Sequence, residues 1–146
     1  MDDETIALIQ KKLGYKFKNP DLLQEALTHK SSERLRKAEA LTHYERLEFL
    51  GDRVLGLIIA EWLLDAFKSE NEGQLSRRLS ALVNRHTLAE IASEINLAEH
   101  IQSDGLTQGE DAEVENPAIL CDVVEAIIAA IYLDGNLRAV TKFIHH

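Results

Sequence analysis

The stretch "HYERLEFLGD", residues 43–52, decides how this chain is read. At about 100° per residue, Glu45, Glu48 and Asp52 stand at i, i+3 and i+7 and share one narrow helical face. Leu47, Leu50, Val54, Leu55, Leu57, Ile58 and Trp62 cover most of the remaining circumference. A helix that is apolar nearly all round is buried, so the run over about 43–67 is expected at the centre of the fold. Small Gly56 lies one turn beyond Asp52, close to the acidic arc. Three carboxylates in such a helix need a physical reason.

The pattern occurs a second time. From Ala118 to Leu133 the only charged residues are Asp122 and Glu125, again three apart on one face. Ile119, Leu120, Val123, Val124, Ile127, Ile128 and Ile131 surround them. If both helices are central, their acidic arcs meet. Carboxylates brought together repel and hold protons more tightly unless a cation or donors compensate. Oxygen ligands of this kind suit Mg²⁺ or Mn²⁺, and such a centre can activate water against a phosphodiester. Buried ion pairs with Arg46 or Arg53 are the plainer alternative. A helical nucleotide pyrophosphohydrolase is another, since it too sets acidic pairs around Mg²⁺. A di-iron bundle requires Glu-x-x-His pairs, and no histidine here follows a glutamate by three residues.

Apolar spacing is helical almost throughout, which predicts an all-α fold with helices near 3–13, 20–28, 43–67, 73–95 and 117–133. Asn116-Pro117 is a start signal for the last of these and Asp134-Gly135 the stop. The length of 146 residues fits one domain, and 45% hydrophobic with 28% charged residues is ordinary for a soluble globular protein. No apolar run reaches the roughly 20 residues that span a bilayer, and the acidic start does not read as a secretory signal. One cysteine, Cys121, forms no intrachain disulfide framework and fits a reducing cytoplasm. The net charge of −9 argues against a general nucleic-acid binder but not against an acidic pocket beside local basic patches.

Arg77, Arg78 and Arg85 fall within an arc of about 100° if 73–95 is one helix. They form either a phosphate-contacting patch or a solvated face. Lys30, Arg34, Arg36 and Lys37 form a further basic cluster in a polar connection. No histidine is assigned a catalytic role: His29 is expected to fix local backbone, His43 to cap or lie at the surface, and His86 and His100 to sit on exposed helix ends.

"ERLEFLGD" resembles the signature of the ribonuclease III family, the double-stranded-RNA endonucleases. "LGYKFKNPDLLQEALTHKS", "NEGQLSRRLSALVNRHTLAEIA" and "NPAILCDVVEAIIAAIYLDG" are similar to three further segments of that family, in the same order. The resemblance implies a compact helical endonuclease domain over residues 1–146 that pairs as a symmetric homodimer. It implies Glu48, Asp52, Asp122 and Glu125 as metal ligands, with Asp52 and Glu125 at the centre of catalysis, Mg²⁺ as the ion and Mn²⁺ as a substitute. Glu45 and Glu72 match acids lining the cleft, and Phe49 matches an aromatic that enters a pocket on the partner subunit. The implied reaction hydrolyses double-stranded RNA to 5′-phosphate and 3′-hydroxyl ends with short 3′ overhangs, in rRNA and mRNA processing. A dimeric RNA-binding scaffold without catalysis is the alternative.

Some residues depart from the family pattern. Cys121 stands where alanine is common and is read as packing; Arg53 stands where small residues are common. The loop 102–116 has no Lys or Arg, although relatives often carry a base there. Most bacterial members append a double-stranded-RNA-binding domain. The unfinished helical pattern "RAVTKFIHH" is read as a cut before such a domain.

Overall fold

In the computed structural model the described residues are 2–29, 44–101 and 116–145. The cluster Lys30, Arg34, Arg36 and Lys37, the residue His43 and the loop expectation for 102–115 lie outside them. The helices are α1 (Asp3–Leu13), α2 (Pro20–Ala26), α3 (Glu45–Ala66), α4 (Glu72–Leu82), α5 (Arg85–Glu94), α6 (Pro117–Asp134) and α7 (Leu137–Ile144), with a 3-10 turn at Leu97–His100. No β-strand occurs among the described residues, as the helical periodicity requires.

Asparagine starts five of these seven helices: Asn19, Asn71, Asn84, Asn116 and Asn136 each accept a hydrogen bond from an otherwise orphaned N–H of the first turn. Asn71 and Gln74 form a reciprocal capping box, with bonds of 2.9 Å in both directions. The first helix uses Asp2 instead and ends on Gly14, whose φ of +70° few side chains tolerate.

One of these caps corrects the predicted helix 73–95, which is two helices. The backbone leaves the helical region at Val83 and Asn84, and Asn84 Oδ1 accepts from Thr87 N at 2.8 Å to start α5. Arg77 and Arg78 therefore belong to α4 and Arg85 to α5, so the single arginine arc does not exist.

The core is built around α6, on which α2, α3, α5 and α7 pack. Every residue from Val123 to Ile131 is buried, and each fully buried isoleucine contributes roughly 1.5–3 kcal/mol. The closest approach is between α3 and α6 at Gly51, where an added Cβ would overlap the carbonyl oxygen of Glu125. Gly56, which the sequence places beside the acidic arc, has nothing within 4 Å of such a Cβ.

Other expectations need revision. The third helix is not buried all round: α6 covers one side only, and Phe49, Leu57, Trp62 and Leu64 are exposed on the rest. His100 is not an exposed helix end. Its side chain is 9% exposed, and Nε2 lies 3.0 Å from Lys12 Nζ. His86 is exposed as expected, 3.0 Å from Glu90. Among the described residues no helix is long and apolar enough to cross a membrane.

Asp134 clasps the end of α6 to the turn before α2. Its Oδ2 accepts from Tyr15 Oη at 2.7 Å and Lys18 N at 2.8 Å, and its Oδ1 accepts from Asn19 N at 2.8 Å.

Candidate metal centre

The contact at Gly51 sets the site. Glu45, Glu48 and Asp52 of α3 and Cys121, Asp122 and Glu125 of α6 line one open cleft of about 900 Å³. Arg85, the first residue of α5, lines it from a third side, with His29 and Tyr44 on the wall. Glu45 and Glu48 lie in the first turn of α3, where the helix dipole favours negative charge.

The acids are not equally buried, although the helices that carry them were expected at the centre of the fold. Glu125 is 6% exposed. Glu48 and Asp122 are half-buried, while Glu45 and Asp52 are exposed along the cleft. Among the described residues, Glu48, Asp122 and Glu125 form no ion pair with Lys, Arg or His. Arg53 does pair with a carboxylate, its guanidinium lying 3.4 Å from Asp52 and 4.0 Å over the Phe49 ring, but that pair is exposed rather than buried.

Crowding has the expected electrostatic result. Burial, a hydrogen bond with Asp52 and the charges of Asp52 and Glu48 push Glu125 up to about 8, against a weaker opposing hydrogen bond from Cys121. Burial raises Glu48, helped by Asp122, Glu45 and Asp52. Burial also raises Asp122, while Arg85 pulls it the other way. The Cys121 thiol is pushed up to about 12 by burial and by Glu125, and Tyr44 to about 12 by burial and then by Asp122, Glu45 and Glu48. A divalent cation would relieve all of this at once. The donor set therefore fits one: ligand atoms of Cys121, Asp122 and Glu125 already lie within 4.8 Å of one another.

Within one chain, Glu72, Arg77 and Arg78 do not line this cleft. Glu72 accepts from Ser76 Oγ at 3.0 Å. Arg78 makes two hydrogen bonds to Glu70, at 2.6 and 2.7 Å, and stacks 3.6 Å over Phe67. Phe49 is 62% exposed. It sits between the acidic cleft and a second hollow of about 710 Å³ lined by Leu22, Leu47, Leu50 and Leu133. Sequence reading missed Gly51, whose only signal is its place directly before Asp52, and it missed the thiol's place in the cleft.

A helical domain that gathers carboxylates from two packed helices around one cleft is of the class that can hold a divalent cation. Residues 19–146 match the family described as Ribonuclease-III-like, and the chain belongs to that family. Ribonuclease 3 of Brucella canis and that of Brucella suis are each 49% identical over 144 residues, 97% of this chain. The chain spans 56% of the length of these curated relatives. The nuclease domain of ribonuclease III from Campylobacter jejuni superposes with a TM-score of 0.84 at 38% identity, covering 98% of this chain and 91% of that one. A second structure of that nuclease domain describes structural flexibility in the region involved in its dimer formation; it covers 94% of this chain and 92% of its own, with the same TM-score of 0.84.

Proposed function

We propose that this domain is an endonuclease that hydrolyses double-stranded RNA as a symmetric homodimer, using Mg²⁺ with Mn²⁺ as a substitute. The observation that carries this reading is the convergence of Glu48, Asp52, Asp122 and Glu125 on one open cleft, with no basic partner for three of them among the described residues. Membership of the ribonuclease III family supports the substrate class. The products are 5′-phosphate and 3′-hydroxyl ends with short 3′ overhangs, and the natural substrates are rRNA and mRNA precursors in the cytoplasm.

Glu48, Asp52, Asp122 and Glu125 would hold the ion. When bound, the ion supplies charge to a scissile phosphate and makes a nearby water more acidic. The chain's own residues supply position. Gly51 lets Glu125 sit against α3 beside Asp52, so the two carboxylates share one corner of the cleft. Arg85, which lines the same cleft from α5, meets a backbone phosphate, a contact that orients RNA without reading its sequence. The exposed Phe49 and the adjoining hollow suit a two-fold pairing in which each fills the other.

The test is cleavage of an end-labelled RNA duplex at low salt with Mg²⁺, with Ca²⁺ and with EDTA. Low salt is needed because phosphate contacts weaken steeply as salt rises. Mg²⁺-dependent cuts with the stated ends, lost in Glu125→Gln, are expected. Duplex binding with no cutting would replace this reading by that of an inactive RNA-binding scaffold.

A further inference from the structure

Cys121 is the only cysteine in the chain, and its side chain is part of the cleft wall. Its Sγ lies 3.4 Å from Glu125 Oε1 across one helical turn. A tetrahedral ion with bonds of about 2.3 Å to sulfur and about 2.1 Å to oxygen holds such a pair about 3.6 Å apart. The spacing is therefore already close to that of two ligands on one ion. The oxygen of Asp122 lies within 4.8 Å of both, close enough for a rotamer adjustment to complete a third ligand.

The buried carboxylate that accepts from this thiol also points to a cation. Glu125 is 6% exposed and has no basic partner among the described residues. A buried carboxyl without a base gains most from a positive ion. What the thiol adds is selectivity, because one sulfur among oxygens favours softer ions than Mg²⁺.

We propose that Cys121, Asp122 and Glu125 form a site for a thiophilic divalent ion of the Zn²⁺ or Cd²⁺ class, which excludes the hard ion from the same corner of the cleft. The exclusion rests on the reading of this cleft as a Mg²⁺ centre; binding of the soft ion does not. On binding, the S–H bond breaks, its proton passes to solvent and the sulfur electron pair forms the metal bond. No oxidant or reductant takes part.

The experiment titrates the folded protein with Cd²⁺ and follows the ultraviolet charge-transfer band of a cadmium–thiolate bond, with circular dichroism confirming the helical fold. With a single cysteine, such a band has one origin. A stoichiometric band, lost in Cys121→Ser and weakened at least tenfold in affinity in Glu125→Gln, is expected. Cys121→Ala serves as the second variant if the serine form folds poorly. In parallel, Mn²⁺ is bound first and its release by Cd²⁺ is read by electron paramagnetic resonance. Mn²⁺ binding without a cadmium–thiolate band would overturn this inference and leave the carboxylate centre standing. A band without any Mn²⁺ binding would support the soft site but overturn its competition with a hard ion. Absence of both would overturn the site and the proposed hard-metal centre together.

Discussion

Gly51 lies against the carbonyl group of Glu125 so closely that a methyl group at Gly51 would occupy the oxygen's place. The neighbour is backbone rather than a flexible side chain, so the contact cannot be relieved by a rotamer change. Asp52 follows Gly51 directly, and the helix crossing therefore also fixes the spacing between Asp52 and Glu125. Gly51→Ala is expected to cost about 3 kcal/mol or more, the upper end for overpacking, and to abolish Mn²⁺ binding. Gly56→Ala, with open space around it, is expected to be neutral or to stabilise by up to ~1 kcal/mol through helix propensity. Urea unfolding of the two variants checks both statements, and equal effects would refute the role given to the crossing.

Glu125 gives the metal-free protein a pH dependence of unusual sign. Its folded pKa is raised to about 8, so the native state binds a proton that the unfolded chain has released. Stability from this group is complete below the ordinary carboxylate range and declines as pH rises towards 8. Because the side chain borders an open cleft, the loss is discounted to about 2 kcal/mol. Glu125→Gln should flatten the decline, and a divalent cation should reverse it. Thermal unfolding in EDTA between pH 5 and 8 is the measurement; a rise with pH in the wild type but not in the variant would contradict the assignment.

Asp134 behaves in the opposite way. Burial works to raise its pKa, but the N–H of Lys18, the Tyr15 hydroxyl and the N–H of Asn19 outweigh it and hold it low. A depressed carboxyl contributes stability that is present above its unfolded pKa and is lost as pH falls through the folded one. Asp134→Asn is expected to lower the melting temperature at neutral pH and to shrink the difference from wild type in acid. A constant difference across that range would count against the clasp.

Arg85 and Arg78 are predicted to differ although both are exposed. Arg85 borders the cleft, whereas Arg78 is held by Glu70 and stacked on Phe67. Arg85→Ala should weaken duplex RNA binding and reduce the slope of log affinity against log salt by about one. Arg78→Ala should leave that slope unchanged.

Phe49→Ala is expected to raise the dimer dissociation constant at least about tenfold, roughly 1.4 kcal/mol. Sedimentation equilibrium over a concentration series would show it. An unchanged constant would remove Phe49 from the interface.

The helical class and the two acidic faces were legible because periodicity and the isolation of charge among apolar residues are local signals. The break at Asn84 was also written locally, as an N-cap residue before "RHTL", but continuous apolar spacing hid it. Gly51 and Gly56 cannot be told apart without knowing where α6 crosses. The exposure of Leu57 and Trp62 and the capture of Arg78 by Glu70 depend in the same way on which neighbours tertiary packing supplies. Periodicity tells which side chains share a face, not whether another helix covers it.

The asparagine caps have a consequence for how the molecule comes apart in acid. An amide side chain carries no charge that protons can remove, so the starts of α2, α4, α5, α6 and α7 keep their hydrogen bonds at any acidity that leaves the chain folded. Among the described helices only the first relies on a titratable cap, Asp2, whose pKa is lowered by its bonds to Thr5. Acidification should therefore fray the amino-terminal helix first while the five amide-started helices stay intact, and the order of amide hydrogen exchange would trace that sequence of loosening.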